Sequence, residues 1–250
     1  MYEIKNMFKK YIRKMLSDDF VKKMVYIKEE YFGGYGVKSY SNEGEDMILR
    51  KIFDGHTKGF YVDVGAYHPK RFSNTFFFYK QGWRGINIDA MPGSMDKFNK
   101  IRSRDINIEK PIYDKKQILT YYAFNGSALN GFSKELSEER DGVGDYFIKF
   151  TKDIETTTLE QVLDDNLPIN QEIDFLSIDV EGLDFNVLKS NNFEKYKPKI
   201  ILIEILGSNM NNLDDEVFNY LKQYNYRFHA KSVNTAIFIN NEFYNEKYNK

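Results

Sequence analysis

The stretch Phe60-Tyr-Val-Asp-Val-Gly65 constrains the fold more than any other part of the chain. A run of β-branched and aromatic residues stops at a glycine, and a second apolar run, Gly85-Ile-Asn-Ile-Asp89, follows after a helix-sized interval. Apolar strands separated by helix-length segments are joined by crossovers, which builds a parallel sheet with helices on both faces. Such sheets bind ligands beyond the carboxyl ends of their strands, where Asp63, Gly65 and Asp89 fall.

The same rhythm continues in both directions. Ser41-Asn-Glu-Gly-Glu-Asp46 reads as a capped helix start leading into Met47 to Phe53, and Ser73 to Lys80 reads as the helix after the first strand. A helix around Ser94 to Arg102 precedes a third strand at Asp105 to Glu109, and Ile118 to Phe124 alternates like an extra strand. Asn125 to Asp145, rich in Gly, Ser and charge, reads as an excursion from the sheet. Thr156-Thr-Thr-Leu159 opens another helix with threonines available as caps. Ile173-Asp-Phe-Leu-Ser-Ile-Asp-Val-Glu-Gly182 supplies a fourth strand, Leu183 to Ser190 a helix, and Lys199 to Glu204 a fully apolar fifth strand. A helix at Leu213 to Gln223 then leads to a hairpin of Tyr226 to His229 with Asn234 to Ile239. The fold class is therefore α/β, with one domain over residues 41–250.

Residues 1–40 stand apart. Ile4, Met7, Phe8, Tyr11, Ile12, Met15 and Leu16 recur at helical spacing between basic residues, the pattern of an amphipathic helical extension. A homodimer through this helix is one partner it suits; a membrane surface is another, disfavoured by Asp18 and Asp19 and by the balanced charge. Lys plus Arg number 36 against 37 for Asp plus Glu, which gives no general attraction to nucleic acid. With no cysteine and three scattered histidines, neither disulfides nor a zinc site is expected. The absence of a long apolar run or a signal-like N-terminus predicts a cytoplasmic chain without stable membrane insertion.

The chemistry-bearing residues cluster at the predicted strand ends. Asp63, Gly65 and Ala66 occupy a tight strand-to-helix turn that lets backbone approach a cofactor. Tyr67, His68 and Pro69 stand where a dinucleotide-binding turn has its later glycines, so a pyrophosphate cofactor is disfavoured. That leaves an adenosine without phosphates, with S-adenosylmethionine the leading case. Asp89 is placed to accept both ribose hydroxyls. Asp179 and Glu181 end a buried strand, where desolvation raises a carboxylate toward a pKa useful for proton transfer; the competing reading makes Glu181 a helix cap. His68 is a further candidate base. Asp179, Glu181 and Glu204 could hold a divalent metal through oxygen, although none is predicted.

Together with Ser73-Asn-Thr75, Gly82-Trp-Arg-Gly85 and Thr157-Thr-Leu159, these segments resemble the FkbM family of S-adenosylmethionine-dependent methyltransferases, from about Ser41 to Ile239. The resemblance implies a class I methyltransferase fold, Rossmann-like, with a seven-stranded mainly parallel sheet containing one antiparallel strand. It implies O-methylation in surface-glycan, such as capsule polysaccharide, or natural-product biosynthesis. Asp63, Gly65, Ala66, Tyr67, Asn74, Asp89 and Ala90 are the expected cofactor residues, and Asp179, Glu181 and His68 the expected catalytic ones. The acceptor would be a small or nucleotide-linked molecule with a sugar hydroxyl or a phosphate or phosphoramidate oxygen. The competing functions are a non-catalytic adenosine-binding or assembly module and a nucleotide-dependent oxidoreductase.

Overall fold

Successive residues of each central strand divide between two apolar layers, because side chains on a strand alternate in direction. Val62, Val64, Leu176, Ile178, Ile201 and Ile203 join one layer, while Tyr61, Phe175, Ile200 and Leu202 join the other. A computed structural model describes residues 17–32, 36–205 and 216–249. The chain divides into two units, Met1–Lys38 and Ser39–Lys250.

In the larger unit, strands β1 (Phe60–Val64), β2 (Arg84–Asp89), β3 (Ile106–Glu109), β6 (Phe175–Ile178), β7 (Ile200–Glu204), β8 (Tyr226–Lys231) and β9 (Thr235–Asn240) form one seven-stranded sheet. Its order is β3-β2-β1-β6-β7-β9-β8. The first five in that order are mutually parallel, and β9 runs against β7 and β8. β4 (Ile118–Phe124) and β5 (Ile148–Glu155) form a separate antiparallel pair.

Helices cover both faces of the large sheet. On the Val62 face lie α6 (Leu159–Asn166), α7 (Asp184–Lys189) and α8 (Glu216–Gln223), which bury Leu159, Val162, Leu163, Val187, Leu188, Val217 and Leu221. On the Tyr61 face lie α2 (Glu45–Ile52), α3 (Phe76–Lys80) and α9 (Asn241–Tyr248), contributing Leu49, Ile52, Phe78 and Phe243. α4 (Met95–Ile101) connects β2 to β3, and α5 (Lys134–Arg140) lies in the excursion between β4 and β5. α6 opens as expected for a threonine cap, with the Thr158 side chain accepting from the Gln161 amide.

The smaller unit contains α1 (Asp18–Tyr31), which buries no side chain. Asp18 and Asp19 belong to this helix. They are its first turn, with Ser17 as the cap, where acids complement the helix dipole. The amphipathic stretch Ile4 to Leu16 and residues 213–215 lie outside the described residues. No helix among the described residues is long and apolar enough to cross a membrane.

Candidate active site

β1 lies between β2 and β6, so the chain leaves the sheet in opposite directions on its two sides and opens a crevice at the strands' carboxyl ends. Gly65 begins the turn there with φ +85°, a conformation that suits a residue without a Cβ. Its amide and that of Ala66 both donate to the Ile88 carbonyl, at 2.9 and 3.0 Å. The turn is thereby folded onto β2, and these amides serve the fold instead of reaching toward a ligand. The next amide, Tyr67, donates to Asp89 Oδ2 at 3.0 Å, and the Met91 amide donates to Oδ1 at 2.8 Å. Both Asp89 oxygens are fixed by backbone and each keeps an acceptor lone pair. Burial raises the Asp89 pKa against the lowering effect of those two amides.

The crevice is a cavity of about 270 Å³. Of the ten expected site residues, Gly65, Tyr67, Asn74, Asp89, Ala90, Asp179 and Glu181 line it together. Asp63, Ala66 and His68 are not among its lining residues. Ala66 packs with Met95 and Phe98. Asp63 accepts from Thr75 Oγ1 at 2.9 Å beneath the turn, and burial raises its pKa to about 6. His68 Nδ1 accepts from the Lys70 and Arg71 amides at 3.1 and 3.2 Å, which places the neutral ring's proton on Nε2. Burial, then Lys97, Arg71 and Lys70, lower the His68 pKa, so this ring ties the loop in its neutral form.

Asp179 and Glu204 form the floor, with buried Asp184 beside them, and one carboxylate oxygen of each lies within 4.8 Å of the others. Asp179 is accessible from the cavity, yet protein surrounds its other sides. Burial and the charges of Glu204, Glu181, Asp63 and Glu45 push its pKa well above the ordinary value. Burial and Asp184 raise Glu204 to about 8, and its Oε2 is buried without a hydrogen-bond partner. Asp184 is also raised to about 8 by burial and Asp179, even though its two oxygens accept from the Val180 and Gly182 amides at 2.9 and 3.0 Å. Leu183 stands at the N-cap of α7 and no side chain caps that helix, so Glu181 does not fill the capping role considered for it; Asp184 instead ties down the turn that precedes α7. Such oxygens are of the type a hard divalent cation takes. Glu181 instead stands at φ +59° with Oε2 held by Arg140 at 2.6 Å, a contact that draws α5 to the cavity.

Two supporting networks were not read from the sequence. Arg102, fully buried, donates from Nε to Asp105 at 2.9 Å and from Nη2 to Tyr61 and Thr75 at 2.8 and 2.9 Å. Its Nη1 donates to the Pro69 carbonyl at 3.1 Å, so one guanidinium joins β1, the loop after β1 and α3. The second network is the Ser41 to Asp46 segment. Asp46 accepts from Ser39, Ser41 and the Tyr40 amide, while Glu43 accepts from Ser232 and the Asn234 amide and Glu45 from Thr235. The segment opens α2 as its composition suggested, with Glu45 and Asp46 in the first turn and Ser41 Oγ accepting from the Gly44 and Asp46 amides. It is in addition a clasp onto the β8–β9 hairpin that sets Asn42 and Glu45 in the cavity wall.

A family model described as Methyltransferase FkbM domain matches residues 63–228. No curated protein and no solved structure matches the chain.

Proposed function

The chain belongs to the FkbM methyltransferase family, and from that premise we propose that it is a class I enzyme transferring the methyl group of S-adenosylmethionine to an acceptor hydroxyl. The Gly65 and Ala66 amides both bond Ile88, so this turn offers no pair of free amides for a pyrophosphate. A phosphate-free adenosine fits that donor set better than a dinucleotide, which also argues against the oxidoreductase reading. Asp89, with both oxygens fixed, is the group suited to a ribose diol; Gly65, Tyr67, Asn74 and Ala90 would complete the cofactor side. When bound, the cofactor supplies a sulfonium methyl group open to nucleophilic attack.

The observation that carries the reading is Asp179, which shares one cavity with Asp89 and has a raised pKa. Its carboxylate is the best placed to take the proton of an acceptor hydroxyl, and alignment in the cavity supplies much of the remaining advantage. Glu181, engaged by Arg140, holds the excursion against the cavity. Ser127 to Phe132 supply the acceptor-side wall. A floor of carboxyl groups favours a hydroxyl, as on a sugar, over a phosphate or phosphoramidate oxygen near Asp179. A nucleotide-linked sugar would turn its phosphates toward Lys110, which also lines the cavity. We place the reaction in the cytoplasm, in surface-glycan or natural-product synthesis.

Calorimetry with S-adenosylmethionine, S-adenosylhomocysteine and NAD, followed by a methyl-transfer screen over free and nucleotide-linked sugars, tests the reading. Binding of the first two without NAD, and methylation of a hydroxyl, are expected. Failure to bind S-adenosylmethionine would sink it, and binding with no transfer to any acceptor would favour the non-catalytic module.

A further inference from the structure

β5 pairs with β4 on one side, and no strand among the described residues pairs with its other side. Hydrogen-bond parity shows what that edge offers. The Thr156 amide donates to the Gln117 carbonyl, so along the register Thr120↔Asp153 and Tyr122↔Thr151 are non-hydrogen-bonded pairs. Tyr122 confirms the parity: its amide and carbonyl point away from β5 and bond Gly131. Thr151 and Asp153 consequently present their own amides and carbonyls outward, free of protein partners. The strand is also exposed on both faces, and Phe150 is 50 % exposed.

An open edge of this kind is a template for strand addition. We propose that β5 is a homodimer interface, in which two copies pair antiparallel about a two-fold axis through Thr151 and join their hairpins into one four-stranded sheet. Such pairing is isologous, so each side chain meets the residue reflected across the axis. Centring on Lys152 would set lysine against lysine, and centring on Asp153 would set aspartate against aspartate. Centring on Thr151 instead brings Phe150 to the second copy's Lys152 and sets Lys149, the extra residue of a β-bulge in this strand, beside its Asp153. Of these three centres only Thr151 avoids a like-charge pair, and it buries exposed Phe150 against a lysine stem.

The proposal is tested by light scattering after size exclusion, and by sedimentation across a concentration series, on the full chain. The wild type should move from 29.6 kDa toward twice that mass with rising concentration. Thr151→Pro removes an outward amide and leaves the β4 ladder intact, so it should be monomeric. K149D and D153K should each weaken the dimer by about ten-fold or more, and the double exchange should restore it. A wild type monomeric at all concentrations would mean that the lysines blunt the edge, and would overturn the proposal. So would a dimer that persists in Thr151→Pro, which would assign association to another surface such as α1. Loss of dimer in both single charge variants without recovery in the double exchange overturns the register. None of these residues lines the cavity, so methyl transfer by the monomeric variants is a separate readout of the proposed activity.

Discussion

The Asp179 carbonyl oxygen occupies the place where a side chain on residue 65 would begin: a Cβ added to Gly65 would lie 1.6 Å from it. The turn after β1 and the end of β6 are therefore packed backbone against backbone, and the proposed cofactor and acceptor sides share one contact. Gly65→Ala must move that backbone as well as hold φ +85°. It should destabilise the protein by about 2–5 kcal/mol and abolish turnover in the fraction that folds. Urea denaturation checks this, and an unchanged midpoint would show the turn to be free to relax.

Asp89→Ala removes the acceptor of the Tyr67 and Met91 amides together with the proposed ribose ligand. Affinity for S-adenosylhomocysteine should fall by about 10- to 100-fold. Calorimetry measures it, with circular dichroism to confirm that the fold persists; retained affinity would place the ribose elsewhere.

Asp179→Asn should lower kcat by about 10²- to 10⁴-fold while changing cofactor affinity little, as for loss of a general base. Glu181→Ala and Arg140→Ala should resemble each other, raising KM more than they lower kcat, because they break the same contact. Should Glu181→Ala alone match the Asp179→Asn loss in kcat, the base is Glu181.

Stability should fall as pH rises through the neutral range. Asp184 goes from an ordinary 3.8 to about 8 on folding, and Glu204 from 4.5 to about 8. Between those values the native state binds more protons than the unfolded chain, so the stabilisation is complete below about pH 4 and is lost through pH 8. Thermal melts from pH 5 to 9 should show the decline. Asp184→Asn should flatten it, at the cost of one backbone contact, and an unaltered slope would remove Asp184 as its source.

Arg102→Met should destabilise the protein by about 3–5 kcal/mol, since it leaves Asp105 and its neighbours buried without their cation. Denaturation of Arg102→Met beside Arg102→Met/Asp105→Leu tests this; the double variant should recover part of the loss. A single variant as stable as wild type would show the network to be dispensable.

Local pattern carried much of the fold, and it failed where partners are distant in sequence. β1, β2, β6 and β7 are legible because they are buried on both faces and so read as largely apolar runs. β5 is not: Ile148, Phe150 and Ile154 fall at alternate positions, but Lys152 interrupts them and the strand stays largely exposed. At the site, Asp89, Asp179 and Glu181 could be named because strand ends mark them. Arg102 could not, since a basic residue closing a short helix ordinarily faces solvent, and only the fold brings it under the turn. Asp63 and His68 were found by position, but their bonds hold the loop, and sequence does not distinguish a group beside a cavity from one beneath it. The Ser41 to Asp46 segment was noticed for its cap-like composition, while its partners lie at the other end of the domain.

That clasp also sets the order in which the site can be completed. Glu43 and Ser232 are 189 positions apart, and Glu45 and Thr235 are 190 apart. A chain emerging from the ribosome has the floor carboxylates, up to Glu204, before it has the hairpin that fixes Asn42 and Glu45. The wall they form is then a late-closing, high-contact-order element, and catalytic competence should arrive only with the final strands.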